Sequence, residues 1–152
     1  MRTGRPDPHR DTSTSCEFAL DADPSAPRAS RDRVGGWLAA ARWPEDERDA
    51  IVYAVSEAVS NAAEHAYPPG SAGRVAVAGR IEDAARTGAG RMRRVRVSVR
   101  DEGRWRVAPL VDEGRRRGLL LMAALMDDVC VRSGCAPRAG TEVAMISTAI
   151  PA

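Results

Sequence analysis

The cleanest alternation in the chain is Arg94-Val95-Arg96-Val97-Ser98-Val99-Arg100, where every second residue is valine. A period of two places successive side chains on opposite faces of a strand, so this segment predicts a half-buried strand with its valines inward. Arg74 to Ile81 alternates less cleanly through Val75, Val77 and Ile81 and predicts a second strand. Elsewhere the helical period dominates. Asp23-Pro24-Ser25 supplies helix-start chemistry for a helix running to about Arg42. Trp43-Pro44 ends it, because proline drives the residue before it into extended geometry. A second helix starts near Glu45 and stops before Tyr67-Pro68-Pro69-Gly70, with Glu45, Asp46 and Glu47 at its positive end. Its Ile51, Val55, Val59, Ala62 and Ala66 share one face and should cover a sheet. A third helix, Gly118 to Asp128, carries Leu121, Met122 and Leu125 at core spacing. Short strands are expected over Ser15–Leu20, Val129–Ser133 and Thr141–Ala149, and loops over 82–91 and 101–116. Residues 1–13, polar and broken by Pro6 and Pro8, are expected to form a disordered arm ahead of a single domain over 14–152. No internal repeat is present. Helices ahead of antiparallel-looking strands indicate an α+β fold of two layers.

Composition narrows the setting. A chain of 152 residues supports one domain with a real core, and 43% hydrophobic with 29% charged residues is ordinary for a globular protein. The longest uncharged stretch is Val143 to Ala152, far short of the roughly 20 apolar residues of a membrane span. The Arg-rich N-terminus lacks the apolar centre of a secretory signal, so a cytoplasmic protein is expected. Cys16, Cys130 and Cys135 form an odd set without metal-ligand spacing, which fits reduced thiols. All 23 basic side chains are Arg, a mark of GC-rich coding rather than of function. Residues 74–106 hold ten of them against the acids Glu82, Asp83, Asp101 and Glu102. A solvated strand face explains this better than a nucleic-acid surface, because the segment has one aromatic residue, Trp105, and no recognised binding motif.

Candidate chemistry sits on the second helix. Asn61 is the single Asn of a chain that has no Gln. Glu57, Asn61 and His65 fall four residues apart, each about 40° round from the last, and form a polar stripe beside the apolar face. Such a stripe alone is commonly just a solvated face. The stretch Glu57-Ala-Val-Ser-Asn61-Ala-Ala-Glu-His65-Ala-Tyr nevertheless resembles the N box of the GHKL, or Bergerat, ATP-binding fold. More narrowly it resembles the bacterial anti-sigma factor serine/threonine kinases, whose local pattern is E-x-x-x-N-A-x-x-H-x-Y. Asp101-Glu102-Gly103 follows the valine strand as the family's D-x-G adenine box does. Arg117-Gly118-Leu119 looks like its second glycine box, and Gly140-Thr141-Glu142-Val143 like its G-T-x-V box. All four occur in the family's order, and the resemblance covers about residues 15–148.

The resemblance implies a two-layer α/β sandwich with a mainly antiparallel mixed sheet covered by helices on one face. It implies ATP as nucleotide, with Asn61 chelating Mg²⁺ through its side-chain oxygen, a ligand type that a hard cation accepts. Glu57 would be the general base for an incoming hydroxyl. Asp101 would accept a hydrogen bond from the adenine amino group, supported by Thr141, while Gly103, Arg117, Gly118 and Leu119 complete the nucleotide site. His65 is assigned either to the phosphate end or to capping the last carbonyls of its helix. The implied activity is phosphorylation of a serine on an anti-anti-sigma partner, coupled to sequestration of a sigma factor. A homodimer is left open, with no interface specified.

Three positions depart from the family pattern. Trp105 stands at the second glycine of the adenine box, and Arg116 stands where a glycine normally lets backbone approach phosphate. Glu64 stands where relatives often carry a basic residue, which argues for weaker triphosphate binding. The segment 104–117 matches the family's mobile lid and carries Arg104, Arg106, Arg115, Arg116 and Arg117. The alternative these departures motivate is a catalytically weak or nucleotide-independent binding module of the same fold. A histidine kinase is disfavoured, since the chain leaves no room for a helix pair bearing a phospho-acceptor.

Overall fold

The structure, a computed structural model, describes residues 14–88, 90–104, 113–134 and 140–152, apart from the side chains at 86, 87 and 113–116. The expected arm over 1–13 and most of the expected lid, 105–112, lie outside the described residues. In chain order the elements are β1 (Ser15–Asp21), α1 (Ala26–Ala40), α2 (Glu45–His65), β2 (Arg74–Thr87), β3 (Gly90–Asp101), α3 (Glu113–Leu125), β4 (Asp128–Ser133), β5 (Thr141–Ile146) and β6 (Ile150–Pro151). The six strands form one sheet in the order β1-β2-β3-β5-β4, with β6 beside β3. Every described pairing is antiparallel, so the sheet is not mixed.

The alternation in β3 does what its period predicts. Val95, Val97 and Val99 are buried while Arg96 and Arg100 are exposed. Val75 and Val77 of β2 and Val143 and Met145 of β5 bring the same face into the core. Against it lie Ile51, Val55, Val59 and Ala62 of α2, Val34, Trp37 and Leu38 of α1, and Met122 of α3. The helices thus form one layer and the sheet the other. The opposite face of the sheet carries Arg74, Arg80, Arg94, Arg96 and Arg100, while Arg93 lies on the core side against Trp43.

Local chemistry sets the element ends. The Asp23 carboxylate accepts hydrogen bonds from both the hydroxyl and the amide of Ser25, which hold its pKa below the usual carboxylate value. That turn delivers the chain into α1 with proline in its first turn. α1 stops at Ala40, and Arg42 turns the chain with φ of 55° before Trp43-Pro44. Glu45, Asp46 and Glu47 occupy the first turn of α2, where the dipole favours them.

Three expectations change. Residues 82–91, read as a loop from their Gly and Ala content, instead extend the β2–β3 hairpin, with Glu82 opposite Arg94, Asp83 opposite Arg93 and Ala84 opposite Met92. Cross-strand charge holds this ribbon together. Arg94 Nε lies 2.9 Å from Glu82 Oε1 and Arg96 reaches the same oxygen at 3.2 Å. Arg96 first, then Arg94, hold the Glu82 carboxyl below its usual range. Arg91 pairs with Asp83, Arg74 with Asp21, and the Arg93 guanidinium stacks 4.8 Å from the Trp43 ring. The arginine-rich segment is thereby largely accounted for within the sheet. Secondly, α3 begins at Glu113 rather than Gly118 and ends at Leu125. Thirdly, the last strand breaks after Ile146. There the Ser147 amide donates to the Val95 carbonyl and its hydroxyl accepts from the Val95 amide, both at 2.9 Å, so the chain steps sideways before pairing again as β6. Cys16 is buried in the core, Cys130 is a half-buried thiol of β4, and Cys135 is outside the described residues.

Gly79 of β2 makes a test of the packing between layers. A methyl group there would lie 2.7 Å from the buried Trp37 ring. Gly to Ala in a strand ordinarily stabilises by restricting the unfolded chain, but overpacking costs about 1–3 kcal/mol and should win here. Gly79→Ala is expected to lower the urea midpoint at unchanged m value; a raised midpoint would contradict the close packing.

Candidate functional site

Two clusters form where α2, α3 and the upper ends of β3 and β5 converge. The first is built on α2. Because Ile51, Val55, Val59 and Ala62 fix that helix on the sheet, the adjacent stripe is held toward α3. Asn61 is only 7% exposed and Glu57 is half-buried. Gly118 of α3 rests directly on them. A methyl group on Gly118 would stand 2.9 Å from Glu57 Oε2 and 3.3 Å from Asn61 Nδ2. With glycine at this position the α3 backbone approaches both polar groups, and a larger residue would require the Glu57 carboxylate to shift.

The second cluster centres on Asp101, the last residue of β3, whose carboxylate is 2% exposed. Its Oδ1 accepts the amide of Gly103 at 3.1 Å and the amide of Thr141 at 3.3 Å. A buried carboxylate requires such donors, since an unmatched charge there is costly. The Thr141 contact also crosses from β3 to the start of β5. Gly140 enters that strand with φ of 139°, and a side chain on it would strike the Asp101 carbonyl.

Gly103 joins the two clusters. A methyl group on it would fall 2.0 Å from the Ala66 carbonyl oxygen, so the turn after Asp101 is wedged against the C-terminal end of α2. Tyr67 locks the same junction. Its hydroxyl donates to the Arg74 carbonyl at 2.6 Å and accepts the Glu102 amide at 3.0 Å, and its ring packs under Gly73. The sequence reading assigned Tyr67 no role, although it closes the quoted helix motif. Its signal was there as the one large polar aromatic between the helix and the Pro-Pro-Gly turn.

Of the residues singled out in the sequence, Glu57, Asn61 and Gly118 are brought together, as are Asp101, Gly103 and Thr141. Arg117 and Leu119 flank Gly118 and are exposed. His65 lies half-buried at the end of α2, with Nε2 3.7 Å from Glu64 Oε2. Glu64 itself is exposed, accepts the Ser60 hydroxyl at 3.0 Å and lines a cleft of about 440 Å³ with Pro24, Ala63, Tyr67 and Pro68. That cleft lies on the α1 side of α2, apart from the contact with Gly118. Arg104 is exposed, and Trp105 lies outside the described residues.

The donor chemistry fits a weakly coordinated hard cation. Among the described residues no three His, Cys, Asp or Glu side chains gather as a metal cluster. A divalent cation at the first cluster would therefore take the Asn61 carboxamide oxygen and complete its shell with phosphate and water, the mode Mg²⁺ favours.

Comparison with known proteins places this geometry. The family profile of the histidine kinase-like ATPase domain matches residues 20–147, and the chain belongs to that family. A crystal structure of the RsbU and RsbW domains of Rv1364c from Mycobacterium tuberculosis superposes with a TM-score of 0.64 at 29% identity over 91% of this chain. The match spans 33% of that longer chain. The histidine kinase domain of the blue-light activated kinase EL346 from Erythrobacter litoralis matches with a TM-score of 0.45 at 23% identity, covering 69% of this chain and 46% of that one. The fold is thus that of the histidine kinase-like, or GHKL-type, ATPase domain. Among the described residues no helix is long and apolar enough to cross a membrane.

The Tyr67 hydroxyl gives the junction a direct test. Tyr67→Phe removes both hydrogen bonds, each worth about 0.5–1.5 kcal/mol. The expected result is lower stability in denaturant together with weaker ATP binding by titration calorimetry. Unchanged stability would mean that the hydroxyl does not hold α2 to the sheet.

Proposed function

We infer that this chain is an anti-sigma-type protein serine kinase. It binds ATP with Mg²⁺, transfers the γ-phosphoryl group to a serine of an anti-anti-sigma partner, and sequesters a sigma factor when not so engaged. The single observation that carries the reading is the seating of the Gly118 backbone on Glu57 and Asn61. A buried carboxamide beside a half-buried carboxylate, directly under the backbone of a glycine in α3, is a costly arrangement for a purely structural contact. The likeness to a structure that contains an RsbW domain supports the same reading.

The roles follow from chemistry. The Asp101 carboxylate offers about four lone-pair sites, and the amides of Gly103 and Thr141 orient it for an exocyclic amine. Adenine presents a donor there, whereas guanine presents a carbonyl that would face the carboxylate unpaired, so the contact selects ATP. Asn61 would hold Mg²⁺, which when bound neutralises charge on the phosphates. Glu57 takes the proton from the acceptor serine hydroxyl. The serine oxygen then bonds to the γ-phosphorus as the bond from that phosphorus to the bridging oxygen breaks, and ADP leaves. The Glu64 carboxylate, turned toward the cleft beside α1, is not an obstacle at the cluster itself.

Titration calorimetry with ATP, with and without Mg²⁺, tests the nucleotide site. Asp101→Asn is expected to weaken ATP binding by about 10–100-fold, the worth of a hydrogen bond to a charged group. Asn61→Ala should abolish Mg²⁺-dependent transfer, and transfer that survives the change would sink the metal assignment. Glu57→Ala should leave ATP bound but slow single-turnover transfer by about 10²–10⁴-fold. Partner binding indifferent both to ATP and to Asn61→Ala would instead identify a binding module that keeps the fold without the chemistry.

A further inference from the structure

Large apolar side chains are exposed at few described positions, and these are unevenly placed. Tyr53 lies on α2, Leu119, Leu120 and Leu121 on α3, and only Val131 lies elsewhere, on β4. The first four thus belong to the two helices that meet at Glu57, Asn61 and Gly118. Tyr53 stands out among them. It is 59% exposed, while Phe18, Trp37 and Trp43 are buried and Tyr67 is tied through its hydroxyl. It also continues the polar stripe. Tyr53, Glu57, Asn61 and His65 follow one another at intervals of four.

Tyr53 is therefore one turn N-terminal to Glu57 on the same side of α2, about 6 Å along the axis. α3 runs antiparallel to α2 here. Its Gly118 is level with Glu57 and Asn61, and just beyond its end the Asp127 amide bonds the Ile146 carbonyl at the opposite end of the sheet. Leu121, one turn on from Gly118, is also exposed. An acceptor hydroxyl must come within about 3 Å of the Glu57 carboxylate, and Tyr53 is the exposed aromatic side chain one helical turn from it on α2.

The spacing specifies what fits. An extended segment advances about 3.3 Å per residue, and alternate side chains point the same way. A residue two positions from the acceptor serine therefore stands about 6.6 Å away on the same side, the distance from Glu57 to Tyr53. We propose that Tyr53 is a positioning residue for the phosphoryl acceptor, an extended serine-bearing segment with a large apolar side chain two residues from the serine. The inference rests on the kinase reading above and adds to it the sequence class of the acceptor. An aromatic ring suits this role because it offers a broad apolar face with few rotors to immobilise.

The probe is a library of short peptides with a central serine and one flanking position fixed at a time, incubated with the full chain and labelled ATP·Mg²⁺. Wild type is expected to label peptides with Leu, Ile, Met or Phe fixed two residues from the serine most strongly. Tyr53→Ala should raise KM for those peptides about tenfold, leaving kcat and ATP affinity within about twofold, and should flatten the preference. Tyr53→Phe should restore both. A preference that survives Tyr53→Ala, or a loss confined to kcat, overturns the proposal. So does a wild-type chain that binds ATP·Mg²⁺ yet labels no such peptide. Failure of wild type to bind ATP at all would instead remove the kinase reading itself.

Discussion

A carboxylate that is 2% exposed at the end of the central strand governs how the working end of this domain is built. Leaving Asp101 charged and unmatched in that position would cost more than most single contacts contribute, so donors must converge on it. They come from the turn that follows it and from the start of β5, through the amides of Gly103 and Thr141. Meeting that demand forces the backbones of three segments together, and the close approaches at Gly103 and Gly140 are the geometric result. Through Gly103 the demand reaches the end of α2, and from there the stripe that carries Asn61 and Glu57.

The helix layer imposes a second condition at the other side of the same space. α3 approaches α2 through Gly118 rather than through a side chain, so the contact is between backbone and two polar groups. Such a junction adds little apolar burial of its own and is stabilised by Met122 further along α3 and Met126 just past its end, which are in the core. Stability and candidate chemistry are thus divided along one helix. Its later turns anchor it, and its early turns cover Glu57 and Asn61 and present leucines outward.

The sheet's opposite face follows a different logic. There Arg94 and Arg96 of β3 reach across to Glu82 of β2, beside Arg80 of the same strand, and Arg74 of β2 takes Asp21 of β1; Arg91 of β3 takes Asp83 of β2 on the core-side face. These are exposed or partly exposed pairs, each worth little singly. Their value is in register, since cross-strand charge favours one alignment of the long β2–β3 ribbon over its neighbours. The dense arginine content of this segment reads as a property of that ribbon.

Much of this was legible in the chain itself. Periodicity identified the valine strand, the three helices and the buried face of α2, because a two-layer fold imposes regular burial on each element. The motif glycines marked the close approaches, because a side chain at Gly103 or Gly140 would strike backbone, and the single Asn stands beside Gly118. Other features were not legible. The hairpin over 82–91 looked like a loop, since Gly and Ala content says nothing about a charge pair twelve residues away in sequence. The break after Ile146 depends on Ser147 meeting Val95, and the place of Tyr67 depends on where β2 and β3 begin and end. Sequence by itself determined the elements, the fold class and the residues of the candidate site. Tertiary structure alone decided which of those residues touch, because contacts between distant segments are fixed by the burial of the whole and not by any local pattern.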